Sequence, residues 1–124
     1  MECDIAIIGA GPAGCSAAIK LAASGLNIVI VDKARFPRDK ICGDALSVDV
    51  VNQLAMLSKE LSCEFKNMAE KTASHGVTIY SPNGKSVSIP FLNNGKAKCG
   101  YIVMRQNFDY LLFKEVKKYP NVQI

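Results

Sequence analysis

The tightest constraint on this chain is the run Gly9-Ala10-Gly11-Pro12-Ala13-Gly14, set between a strand pattern and a helix pattern. Asp4-Ile5-Ala6-Ile7-Ile8 is a short apolar run that stops abruptly at Gly9, as a buried parallel strand does. Residues 12–24 read as a helix, with Pro12 suited to its first turn and Gly25 placed for a left-handed C-terminal cap. Asn27 to Val31 is a second buried-strand run, rich in β-branched residues. Strand, helix and strand in that order imply a right-handed crossover between two parallel neighbours. Within that frame each glycine of G-x-G-x-x-G has its own task. Gly9 makes the tight turn, Gly11 lets a ligand's diphosphate approach the backbone, and Gly14 lets helix and strand pack closely. The free amides at the helix start, with their partial positive charge, suit a diphosphate. Asp32 ends the second strand, where a carboxylate accepts hydrogen bonds from ribose hydroxyls. A solvated aspartate beside an ordinary turn is the plain alternative. The agreement of strand, glycines, helix and acid favours a dinucleotide site.

The rest of the chain reads more loosely. Residues 33–46 are loop-like, with Pro37 and Gly43. Ser47 is a suitable N-cap for a helix over 48–59, with Asp49 favourable in its first turn, and residues 60–74 are ambiguous. Val77-Thr78-Ile79-Tyr80 and Ser86-Val87-Ser88-Ile89 alternate with period two around Ser81-Pro82-Asn83-Gly84, which predicts an antiparallel hairpin. A polar loop over 93–96 leads to a strand at Tyr101–Met104. Phe108, Leu111, Leu112, Val116 and Tyr119 then mark a helix stopped by Pro120, and Asn121–Ile124 begins another strand. The expected fold class is α/β: a Rossmann-type βαβ half-site on a parallel sheet, with an antiparallel hairpin inserted. Residues 1–46 form the dinucleotide-binding part with the loop that follows it, and 47–124 the helix, hairpin and strand–helix part. A parallel sheet of two or three strands has exposed edges and too little cover, so the organisation reads as the opening of a larger protein, with self-association through an open edge as one outcome.

The chain has 124 residues, 49% of them hydrophobic and 21% charged, which suits one soluble domain at most. The net charge of +4 is mild, and the basic clusters at 33–40 and 114–118 lack interleaved aromatics, so nucleic acid is not an expected partner. The five cysteines are odd in number and widely spaced, with no C-x-x-C, which argues against a disulfide framework or metal site and for a reducing compartment. No apolar segment is long enough to span a bilayer, and the N-terminus runs straight into a strand without a basic leader. A cytoplasmic protein is expected, with peripheral membrane association left open.

A second motif follows the half-site. Pro37, Arg38, Lys40, Cys42 and Gly43 match the P-R-x-K-x-C-G of the geranylgeranyl reductase family, within the class that includes flavin hydroxylases. Arg105-Gln106-Asn107-Phe108-Asp109-Tyr110-Leu111 is similar to that family's R-x-x-F-D-x-x-L. The resemblance covers nearly the whole chain but only the N-terminal third of a typical member; the family's later D-G and G-D motifs and its substrate region lie outside it.

The resemblance implies FAD rather than NAD, held by Gly9, Gly11, Pro12, Ala13, Gly14 and Asp32. Lys33 and Arg38 would offset phosphate charge, guanidinium being suited to this by its planar fork of donors. Cys42, Gly43 and Ala45 would line the flavin, with Cys42 as a flavin-proximal residue; the alternative is a small buried hydrophobe. Asp44 either caps a helix or faces the flavin. Arg105 would touch the phosphate or ribityl side, against the alternative of an i,i+4 salt bridge with Asp109. The implied activity is an FAD-dependent oxidoreductase that reduces isoprenoid double bonds with electrons from NAD(P)H or ferredoxin. A flavin-dependent monooxygenase or halogenase, an NAD-only enzyme, and a truncated, non-catalytic dinucleotide-binding module are the other readings. His75 is expected to be structural, Cys3, Cys15, Cys63 and Cys99 to be packing residues, and Tyr80 and Tyr101 to sit in the core or at its rim.

Overall fold

In the computed structural model, which describes residues 2–124, β1 (Ile5–Ile8) lies parallel to β2 (Ile28–Val31), in register from Ile5 against Ile28 to Ile8 against Val31. Helix α1 (Pro12–Ala22) makes the crossover. It ends two residues earlier than the sequence pattern suggests, because Ser24 N–H turns back to Leu21 O and Gly25 takes φ +77. The strand at the end of the chain, β10 (Val122–Gln123), joins β2 in parallel on its other side, giving the order β1-β2-β10. The expected Rossmann-type βαβ unit is therefore present.

A second, antiparallel sheet has the order β3 (Ala45–Leu46), β9 (Gly100–Ile102), β4 (Thr72–Ser74). Two of its strands fall where a loop or an ambiguous stretch was expected. The helix expected over 48–59 is α2 (Val48–Leu57), and a second helix, α3 (Lys59–Asn67), fills the first half of the ambiguous stretch. The break is Ser58, whose backbone is extended and whose Oγ accepts from Leu61 N–H to open α3. The same hydroxyl donates to Glu115 Oε1 at 2.6 Å, so a distant helix holds the break in place. Ser47 sits at the N-cap of α2 in extended conformation, but its hydroxyl makes no capping bond.

The predicted hairpin is β5 (Gly76–Tyr80) against β6 (Ser86–Pro90), with Ile79 opposite Val87. The polar loop expected at 93–96 closes a further small hairpin, β7 (Leu92–Asn93) with β8 (Lys96–Ala97), because Asn94 and Gly95 both adopt the positive φ of a two-residue turn. Strand β9 stops at Ile102, short of Met104, and α4 runs over Arg105–Val116, ending before Tyr119.

Helices α1, α3 and α4 supply most of the core. Ala18 and Ile19 meet Ile28 and Ile30 of the parallel sheet, and Leu61, Phe65, Leu112 and Val116 complete it. Phe65 is fully buried, with its ring edge-on to Tyr101 and Phe108, a burial worth about 1.5–3 kcal/mol. Among the cysteines Cys15 is buried and Cys99 half-buried, but Cys3 and Cys63 are exposed, contrary to a packing role. Cys3 precedes the first strand, and Cys63 lies off the Leu61–Phe65 face of α3. Tyr101 packs against the core, whereas Tyr80 is exposed on the hairpin, as is His75 at its base. Among the described residues no helix is long and apolar enough to cross a membrane.

Candidate functional site

The site begins at the β1–α1 turn. Gly9 takes φ +104, which a side chain would resist, and its N–H donates to Val31 O at 2.7 Å. A Cβ on Gly14 would overlap the Gly9 carbonyl oxygen and press on Ile7, so this glycine sets the distance between helix and strand. Below the turn the Cys15 Sγ–H donates to Ala10 O at 3.1 Å. Burial, together with the negative charges of Asp109 and Asp32, pushes this thiol up to about 12, so it stays a neutral donor.

Above the turn the arrangement differs. The N-terminus of α1 has no side-chain cap and no acidic residue in its first turn, so its amides are free for an anion. A Cβ placed on Gly11 would touch Arg38 Nη2 at 3.4 Å and nothing else within 4 Å. Asp32 is aimed at this turn. Its Oδ2 accepts from Ala10 N–H and its Oδ1 from Ala34 N–H, both at 2.8 Å. The Ala34 amide, then the Ala10 amide and the charges of Arg38 and Lys33, hold its pKa below the ordinary value. Each oxygen keeps a further lone pair for a hydroxyl donor.

Ile8, Gly9, Val31, Asp32, Lys33, Ala34, Arg38, Asp39 and Lys40 line a cleft of about 520 Å³. Ile8 is 83% exposed at its floor. The donor set fits an FAD diphosphate on three counts: uncapped helix amides, a glycine with open space above it, and a guanidinium whose Nη2 stands over Gly11. Arg38 Nη1 is 3.1 Å from Asp109 Oδ2, yet it is a buried donor with no hydrogen bond. With Nη1 turned inward to Asp109, Nη2 is the nitrogen that stands over Gly11 and faces an anion at the cradle.

The loop from Arg38 to Asp44 crosses to a second cluster. Asp44 takes φ +52; its carbonyl accepts from Val103 N–H and its Oδ1 from Arg105 N–H at 3.1 Å. It therefore caps a helix, but α4 rather than the α2 that follows it in sequence. Cys42 is exposed, so it is not a small buried hydrophobe. The Arg105 guanidinium, and then the Asp44 amide, lower its thiol pKa. Gly43 has open space where a Cβ would be, and Ala45 pairs with Ile102 on β3. Arg105 makes the i,i+4 bridge to Asp109 with a two-pronged geometry, Nε to Oδ1 at 2.7 Å and Nη2 to Oδ2 at 2.9 Å. These bonds hold its guanidinium charged more firmly than an exposed arginine's.

Gly9, Asp32, Lys33 and Arg38 thus share one cleft, with Pro12, Ala13 and Gly14 on the helix that opens from it. Cys42 and Arg105 form the neighbouring cluster, and Asp109 links the two. The functional weight of Asp109 is what the sequence reading missed; its signals were the i,i+4 spacing from Arg105 and its place in R-x-x-F-D-x-x-L.

The fold and this cradle define a dinucleotide-binding segment of the FAD-dependent oxidoreductase class. The chain belongs to the pyridine nucleotide-disulphide oxidoreductase family, whose model matches residues 3–104. The resemblance to geranylgeranyl reductases is borne out by relatives. The chain is 32% identical over 113 residues to a digeranylgeranylglycerophospholipid reductase of Methanothrix thermoacetophila, covering 90% of this chain and 27% of that protein. It is 50% identical over 54 residues to a menaquinone reductase of Mycolicibacterium smegmatis, covering 44% of this chain and 13% of that protein. Among solved structures it is similar to the myxobacterial chondrochloren halogenase, described as a variant of the FAD-dependent halogenases. That match has a TM-score of 0.82 and 26% identity, over 97% of this chain and 28% of the halogenase. The chain therefore spans about a quarter or less of the curated relatives' length.

Proposed function

We propose that this chain carries the adenosine-diphosphate seat and flavin-facing loop of an enzyme that reduces isoprenoid double bonds in a lipid. The observation that carries the reading is the cradle itself: free helix amides, an aimed carboxylate and an arginine with Nη2 over Gly11 around one cleft. In this reading Gly9, Gly11, Pro12, Ala13 and Gly14 present backbone to the diphosphate, and Asp32 holds the ribose. Lys33 and Arg38 balance phosphate charge, while Arg105 does the same from the ribityl side. Cys42, Gly43 and Ala45 line the flavin. When bound, FAD supplies the two-electron redox chemistry, and the protein supplies binding, orientation and electrostatics. The substrate class is supported by the digeranylgeranylglycerophospholipid reductase relative, which aligns with 90% of the chain. NAD(P)H or ferredoxin is the proposed electron source.

A second reading, a flavin-dependent halogenase or monooxygenase, is favoured by the fold match to the chondrochloren halogenase. Pro37-Arg38-x-Lys40-x-Cys42-Gly43 supports the reductase. The test starts with the purified chain and FAD. Uptake should give a flavin band near about 450 nm that co-elutes with protein, and a chain that stays colourless sinks both readings. Reduced flavoprotein is then offered a geranylgeranyl lipid, or halide with oxygen and a phenol. Addition of hydrogen across the lipid's double bonds supports the reductase, and a halogenated phenol supports the alternative.

A further inference from the structure

Helix α4 does more than cover the core, because two of its side chains converge on Arg38. Asp109 is wholly buried and sits 3.1 Å from Arg38 Nη1. One turn further along the same helix, Phe113 stacks flat on Phe36, with ring centroids 4.4 Å apart and planes within 3°. Phe36 in turn lies under the Arg38 guanidinium, 4.8 Å from centroid to Cζ. Arg38 is therefore gripped by a charge at one nitrogen and by a ring on one face. Its Nη2 is left over Gly11, where the helix amides are free.

The division of Asp109 between two arginines is uneven. Arg105 takes both carboxylate oxygens in hydrogen bonds, whereas Arg38 gains proximity to the charge but no hydrogen bond. A carboxylate with no exposure would be costly alone, by several kcal/mol, so it is tolerated only because both guanidiniums face it. With Nη1 turned to Asp109, Nη2 is the donor presented to an incoming anion. We infer that Asp109, assisted by Phe113 through Phe36, is a positioning residue that aims the Arg38 guanidinium at the diphosphate of the bound dinucleotide.

This inference rests on the proposed cofactor site and deepens it. Asp109 also clamps Arg105, so the part of its effect that runs through Arg38 is the part that needs both Arg38 and a ligand with phosphates. The experiment measures dissociation constants of the 124-residue chain for FAD and for riboflavin by flavin fluorescence. It compares wild type, Asp109→Asn, Arg38→Met and the double variant. Asp109→Asn should weaken FAD binding about tenfold, as expected for losing part of a charge-assisted contact. It should weaken riboflavin much less, through the loosened Arg105 alone, and in the Arg38→Met background only that smaller loss should remain. Should Asp109→Asn fail to fold, Phe113→Leu replaces it, with a loss of about threefold that Arg38→Met likewise absorbs. Undiminished FAD affinity, equal losses for FAD and riboflavin, or the full Asp109→Asn loss persisting in the Arg38→Met background would overturn the positioning role while leaving the cofactor site standing. A wild-type chain that binds neither FAD nor riboflavin overturns both.

Discussion

The β1–α1 turn and the β5–β6 hairpin are both short, local structures, yet they are held in opposite ways. At the turn the strand-side groups are answered from elsewhere, Gly9 by Val31 and Ala10 by Asp32, with the Ala10 carbonyl taken by Cys15, and only the helix amides are left open. The hairpin closes on itself, through its ladder and the Thr78–Ser88 hydroxyl pair. Its apolar face of Val77, Ile79, Val87 and Ile89 stands about half exposed. An isolated two-stranded hairpin is marginal in water, so this one draws little from the body of the chain. The turn is over-determined by tertiary contacts and needs only a ligand. The hairpin is determined by pairing alone, and its apolar face has no use within these residues.

The contrast can be broken most severely at Gly14. Gly14→Ala places a methyl on the Gly9 carbonyl oxygen and should cost about 3 kcal/mol or more of stability, measured by urea denaturation. A near-neutral result would mean that the turn is not over-determined. Gly11→Val should behave differently, since a Cβ there meets only the movable end of Arg38. Its urea midpoint should stay near wild type while FAD binding weakens by about a hundredfold or more. If both glycines fail by unfolding, the separation of scaffold from ligand face is wrong.

Asp32→Ala should weaken FAD by about 1–3 kcal/mol, and it also strips an acceptor from the Ala10 and Ala34 amides. The pH dependence has a definite sign. The folded-state pKa of Asp32 is depressed, so its stabilisation is present above the ordinary carboxylate value of 3.8. It is lost as the pH falls through the depressed value. The stability gap between wild type and Asp32→Ala should therefore be flat near neutrality and close on acidification below about pH 4; a gap that widens in acid would contradict the two amide bonds. The smallest effect belongs to the hairpin. Ile79→Thr with Val87→Thr should shift stability by about 0.5 kcal/mol or less. A much larger, concentration-dependent loss would reveal that this face is covered by a second copy.

The turn was legible in the sequence because its demands are local and chemical: glycines where a side chain collides, and an acid at a strand end. The hairpin was legible because period-two alternation flanks Pro82-Asn83-Gly84. The α2–α3 break was not, since Ser58 inside an apolar stretch resembles a tolerated helical serine until Glu115 is brought against it. The second sheet escaped because β3 and β4 are too short for alternation to register and exist only by pairing with β9. Asp109 reads as half of an ordinary surface pair with Arg105. Its burial depends on the arrival of the Arg38 loop, which no local pattern encodes. The roles proposed for Cys42, Gly43 and Ala45 came from family likeness rather than from any physical signal in the residues.

The backbone of Asp44 is left-handed, and its carboxylate holds the first amide of a helix 61 positions downstream. That clasp ties the timing of two events together. The loop that carries Arg38 and Cys42 has no fixed anchor until α4 has been synthesised and docked, which at about 5–20 residues per second is a matter of seconds after the signature glycines emerge. The nascent βαβ segment thus has the emblem of a nucleotide pocket before it has the pocket. A peptide ending near residue 46 should accordingly bind far more weakly than its motif advertises.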